Sequence, residues 1–82
     1  MEAHRLVTMA NQIAEFFATS NPDRADAVKA TAEHLHRFWD PRMRREIIAH
    51  LSADVRGGGL TEVARLAVVQ LAAESKAKAA AQ

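Results

Sequence analysis

The sequence predicts an all-α fold, a small bundle of about four helices with a tight helix-helix corner at Asp40-Pro41. Three observations carry that reading. Apolar residues recur at steps of three and four in successive stretches, the spacing that lines one side of a helix. Two polar-proline pairs, Asn21-Pro22 and Asp40-Pro41, and one glycine run, Gly57-Gly58-Gly59, separate those stretches. Nowhere do apolar and polar residues alternate as they would in a half-buried strand.

The first helix is carried by Leu6, Met9, Ala10, Ile13, Phe16 and Phe17, with His4, Thr8, Asn11 and Glu15 on its other side, and it should end near Thr19-Ser20. Asn21 is placed to cap a second helix, Pro22 suits the first helical position, and Asp23 complements the helix dipole. That helix should run from Pro22 to about Trp39, burying Val28, Ala32, Leu35 and Trp39. Phe38 points roughly 100° away from Trp39. Two large rings on adjacent positions cannot both enter one small core, so one is expected to meet another surface.

Asp40-Pro41 repeats the pattern of Asn21-Pro22, so a third helix should begin almost without a linker. Its apolar stripe is Met43, Ile47 and Leu51, with Ile48 at the edge. Arg44 falls inside the apolar sector, whereas Arg42 and Arg45 lie on the far side. A guanidinium among aliphatics must snorkel outward or find a carboxylate, because an unpaired buried charge is very costly; a contact to a partner is the alternative. Gly57-Gly58-Gly59 reads as a flexible hinge without phosphate-loop spacing. Thr61 is then the N-cap of a fourth helix over about Glu62 to Glu74. Val63, Ala64, Leu66, Ala67, Val68, Val69 and Leu71 occupy most of its circumference, which calls for cover on more than one side. Residues 1–75 read as one helical domain. Residues 76–82 read as an alanine/lysine-rich tail, helical if the fourth helix continues into it and frayed otherwise.

Composition narrows what such a bundle can do. The chain has 82 residues, 49% of them hydrophobic, but 18 residues are alanine, which bury little area each. A core that small points to a weakly stable monomer that gains stability by docking on something else. Eleven basic and ten acidic residues leave a net charge of +1, so no global field draws the chain to nucleic acid or membranes. Cysteine is absent, which removes disulfides, thiolate metal sites, iron-sulfur ligation and cysteine nucleophiles together. Met1-Glu2-Ala3-His4-Arg5 opens no signal segment and no apolar run reaches spanning length, so a cytoplasmic protein is expected.

No catalytic constellation emerges. His34 and His36 stand about 200° apart on a helix and cannot both reach one metal. His50 could join one of them, but suitably spaced carboxylates are missing. What stands out is the stretch from His34 to Arg45, which holds the only tryptophan and half of the eight arginines. Aromatic and arginine residues around a chain break are the usual material of protein-binding hot spots. The expected partner interface is therefore His34, Arg37, Phe38, Trp39, Pro41, Arg42, Arg44 and Arg45. The same basic patch, between two short helices, also admits a small helical DNA-binding regulator as the alternative. Against that alternative stand the near-zero net charge and Asp40 in the turn, where a glycine is more usual.

Leu6-Val7-Thr8-Met9-Ala10-Asn11-Gln12-Ile13 and Phe16-Phe17, followed by His34-Leu35-His36-Arg37-Phe38-Trp39-Asp40-Pro41-Arg42-Met43-Arg44, resemble the delta subunit of cytoplasmic NAD-dependent, molybdenum-containing formate dehydrogenases. Similarity covers roughly Leu6 to Leu71, and Phe38-Trp39-x-Pro41-Arg42-Met43-Arg44 is its most specific part. The resemblance implies a small non-catalytic subunit that binds no cofactor itself. It would dock on an alpha subunit carrying bis-molybdopterin guanine dinucleotide and iron-sulfur clusters, within a complex whose beta and gamma subunits pass electrons through FMN to NAD. The implied role is assembly, cofactor insertion or stabilisation of that alpha subunit.

Overall fold

A computed structural model describes residues 3–54 and 56–80, with side chains through residue 77. Met1, Glu2, Ala81 and Gln82, parts of the expected leaderless start and of the tail, lie outside the described residues. Four helices follow one another: α1 (Ala3–Ser20), α2 (Arg24–Phe38), α3 (Pro41–Ala53) and α4 (Glu62–Ala80). The described residues contain no strand.

α4 is the hub on which the other three helices pack, most extensively α2, and α1 also lies along α2. α2 and α3, joined by the shortest connection in the bundle, scarcely touch each other. They are held together instead through α1 and α4, on which both pack.

Alanine carries more of the core than its size predicts. Ala10, Ala14, Ala27, Ala32, Ala64 and Ala67 are as inaccessible as Leu6, Leu35, Ile47 and Val68. A close-packed interior takes small side chains as readily as large ones, provided the two kinds together fill the space. This corrects the expected face of α1. Its buried line is Leu6, Val7, Ala10 and Ala14, with Met9 and Ile13 packed at the edge. Phe16, expected inside, is 64% exposed. On α2 the buried line includes Ala27 and Thr31 beside Ala32 and Leu35, and the Thr31 hydroxyl is satisfied by donating to the Ala27 carbonyl at 2.7 Å.

The two proline junctions differ. At the second, Asp40 caps α3 as expected: its Oδ1 accepts from the Met43 amide at 2.9 Å and Pro41 takes the first helical position. At the first, the cap is Asp23, whose Oδ1 accepts from the Ala25 amide at 2.8 Å, and α2 begins at Arg24 rather than Pro22. Asn21 works backward. Its backbone N–H and its side-chain Nδ2 both donate to the Phe17 carbonyl, at 2.8 and 2.9 Å, so its amide is spent closing α1.

The glycine run is a tied turn rather than a free hinge. All three glycines have positive φ, at 110°, 51° and 95°, the left-handed region that side chains resist. Asn11 donates to the Gly59 carbonyl at 3.0 Å and accepts from the Thr61 amide at 2.9 Å, bridging α1 to the start of α4. His50 of α3 donates from Nε2 to the Gly58 carbonyl at 2.8 Å, which assigns the proton to Nε2, because a carbonyl can only accept. A Cβ on Gly58 would stand 2.3 Å from that nitrogen. Asn11, expected among the outward polar residues of α1, is thus a structural bridge.

α4 starts at Glu62 as expected, with the Thr61 hydroxyl 3.4 Å from the Ala64 amide, and continues past Glu74 through residues 76–80. Glu62 pairs with Arg24, tying the starts of α2 and α4. No described helix is long and apolar enough to cross a membrane.

Candidate docking surface

The corner between α2 and α3 is built from two extended residues. Trp39 (φ −85°, ψ 136°) ends α2, with its N–H on the Leu35 carbonyl, and Asp40 (φ −70°, ψ 163°) starts α3. An extended conformation is what a residue before proline prefers. This geometry separates the two adjacent rings: Trp39 turns into the core at 5% exposure, while Phe38 is 70% exposed.

Arg44 fixes the corner in a way the sequence did not suggest. Its Nη1 donates to the His36 carbonyl at 2.9 Å and to the Trp39 carbonyl at 2.6 Å. These are end-of-helix carbonyls with no partner inside α2. The expected outward snorkel or carboxylate pair is therefore replaced by a strap from α3 onto the last turn of α2. A guanidinium binds neutral carbonyls well, because its donors are polarised by the charge.

Outward from the corner runs an aromatic ladder. Phe38 stands one turn from His34 on α2, with ring centroids 4.8 Å apart. His34 meets Phe17 of α1 edge-on at 5.8 Å, and Phe17 meets Phe16 edge-on at 5.1 Å. Such offset and edge contacts add modest attraction beyond area burial. Phe16 and Phe38 cap the ladder at both ends as the two most exposed large apolar rings among the described residues. Between them, Gln12, Ile13, Phe16, Phe17 and His34 line an open depression.

Six of the eight residues expected at an interface thus reach the surface: His34 within the ladder, Phe38 at its end, and Pro41, Arg37, Arg42 and Arg45 around the corner. Trp39 and Arg44 support it from beneath. Arg42 approaches Glu46 at 3.7 Å across one turn of α3, a pair with the Arg42 side chain 78% exposed and so of little energetic weight. Among the described residues no carboxylate forms an ion pair with Arg37, Arg44 or Arg45. Phe16 and Phe17 belong to the surface and were missed. The signal was present, since the rule separating Phe38 from Trp39 applies equally to the adjacent pair Phe16-Phe17. His36 lies on the opposite side of α2 from His34, and no group of three or more His, Asp or Glu among the described residues could hold a metal ion.

No curated protein and no solved structure matches the chain. A family model does match, over residues 5–68, and its description is the NADH-dependent formate dehydrogenase delta subunit FdsD. The matched span runs from the first turn of α1 into α4 and contains the ladder, the corner and the tied glycine turn. The chain belongs to the family of NADH-dependent formate dehydrogenase delta subunits.

Proposed function

We propose that this chain is a non-catalytic accessory subunit that docks on the molybdopterin-carrying alpha subunit of the formate dehydrogenase complex and supports its assembly, cofactor insertion or stability. One observation carries the reading: a member of this family displays a continuous aromatic ladder, capped by the exposed rings of Phe16 and Phe38. Exposed aromatic patches of this kind mark interaction sites, and aromatic and arginine residues dominate binding energy where they are desolvated. Molybdopterin, iron-sulfur clusters and FMN stay with the other subunits in this reading, and a chain without cysteine offers no thiolate to a cluster. Action inside the cytoplasm, beside the beta and gamma subunits, belongs to the same proposal.

The test is co-purification from cells producing the whole complex. Phe16→Asp with Phe38→Asp should leave the helical circular dichroism of the free chain intact, because both rings are exposed, and should abolish recovery with the alpha subunit. Recovery at wild-type stoichiometry would remove the ladder as the docking surface. Binding of the free chain to duplex DNA, falling steeply with salt, would favour a DNA-binding regulator instead.

A further inference from the structure

On the side of α2 opposite the ladder the corner is concave. A half-enclosed cavity of about 180 Å³ lies where the end of α2 and the start of α3 face the C-terminal half of α4. Its floor is apolar, formed by Ile48 and by Leu71, which is 2% exposed. A cavity of roughly 150 Å³ accepts a benzene molecule. One ring, or one branched aliphatic side chain, therefore fills this one.

The rim is cationic. Arg44 and Arg45 both line it, against the single acid Glu74, and neither arginine is ion-paired among the described residues. Arg44 is the more telling of the two. Its hydrogen bonds to the His36 and Trp39 carbonyls both leave from Nη1, and they hold the guanidinium without neutralising it. A guanidinium has five N–H donors. No described buried side-chain nitrogen lacks a partner, so its remaining donors are not sealed inside the protein. A pre-positioned cation beside a ring-sized apolar floor is complementary to one kind of group.

We infer that this cavity is the anchor site for a large apolar side chain with a carboxylate beside it, presented by a peptide segment of the partner subunit. The inference rests on the docking reading above and supplies its partner chemistry. The apolar side chain covers Ile48 and Leu71, and the carboxylate receives hydrogen bonds from Arg44 and Arg45. Because the strap already holds Arg44 in place, little rotamer freedom is lost on binding.

Phenylacetate carries both halves of that group and serves as the probe. Titrated into the ¹⁵N-labelled full chain, it should produce saturable shifts of the Arg45, Ile48, Leu71 and Ser75 amides, with acetate and benzyl alcohol, each carrying one half, binding far more weakly. Arg45→Gln, at an exposed position, should weaken phenylacetate roughly tenfold, the loss of one charge-assisted hydrogen bond. Equal binding by acetate or inorganic phosphate, or no saturable shift, would overturn the anchor. In the assembled complex, Ser75→Trp, which fills the cavity from its rim, should release the chain. Co-purification of Ser75→Trp at wild-type levels would overturn the anchor and leave the docking reading standing, whereas failure of the wild-type chain to co-purify would overturn the docking reading itself.

Discussion

The bundle contains two junctions with the same local wording, Asn21-Pro22 and Asp40-Pro41, and it builds them differently. At the first, α1 and α2 pack along each other, so the angle between them is set by their contact faces. Local bonds suffice there: Asn21 closes α1 and Asp23 opens α2. At the second, α2 and α3 scarcely touch, and their angle rests on their shared packing against α1 and α4 and on the junction itself. The junction adds its own bonds. It does so with Asp40 as cap, Trp39 driven into the core as a wedge, and Arg44 reaching back to two carbonyls of α2. A connection between packed helices can be economical, whereas one between helices that scarcely touch needs its own fastenings.

Breaking those fastenings should expose the difference in a graded way. Trp39→Ala should be the most damaging, costing about 3–5 kcal/mol in denaturant unfolding, because it empties the core at the corner. Arg44→Met keeps the aliphatic stem and removes the strap; a cost of about 1–2 kcal/mol is expected. Its particular signature is a changed α2–α3 angle, read from long-range spin-label distances, with the α1–α2 distance unmoved. Asp40→Ala and Asp23→Ala each remove an N-cap and should cost about 1 kcal/mol. They test whether the caps are equivalent once the other supports differ. Asn21→Ala should be mildest, about 0.5 kcal/mol for a side-chain bond at a helix end, with no change in interhelical distance. An Asn21→Ala variant as disruptive as Arg44→Met would refute the distinction between the junctions.

Much of this architecture was legible from local rules. Asp40-Pro41 could be recognised as a cap and first-turn pair because both partners of the Asp40–Met43 bond lie within one helical turn. The stripe Met43, Ile47, Leu51 was legible because α3 has one apolar side. The inner face of α1 differs from the expected one because ranking positions by bulk favours Phe16 over Ala14, whereas the helix buries Ala14 and exposes Phe16. Asn21 was assigned to the wrong helix, since an amide between two helices can close one or open the other, and spacing alone does not choose. Arg44 was hardest. A helical wheel shows its aliphatic neighbours but not carbonyl groups of another helix, and those were the partners it found. For the candidate surface, the rule that parts Phe38 from Trp39 also parts Phe16 from Phe17, while the meeting of Phe17 with His34 across two helices depends on tertiary packing.

The order in which the elements leave the ribosome gives the hub position of α4 a temporal meaning. α1, α2 and α3 all rest on the last of the four helices to be made. The bridge from Asn11 reaches Gly59 and Thr61, 48 and 50 positions downstream. Until α4 emerges, α2 and α3 are joined only by their corner and by α1, and the cavity lacks the wall that Leu71 and Glu74 supply. The nascent chain therefore cannot offer the ladder and the cavity in their final relation. In the docking proposed above, the cavity is there to be recognised only once α4 has joined the bundle.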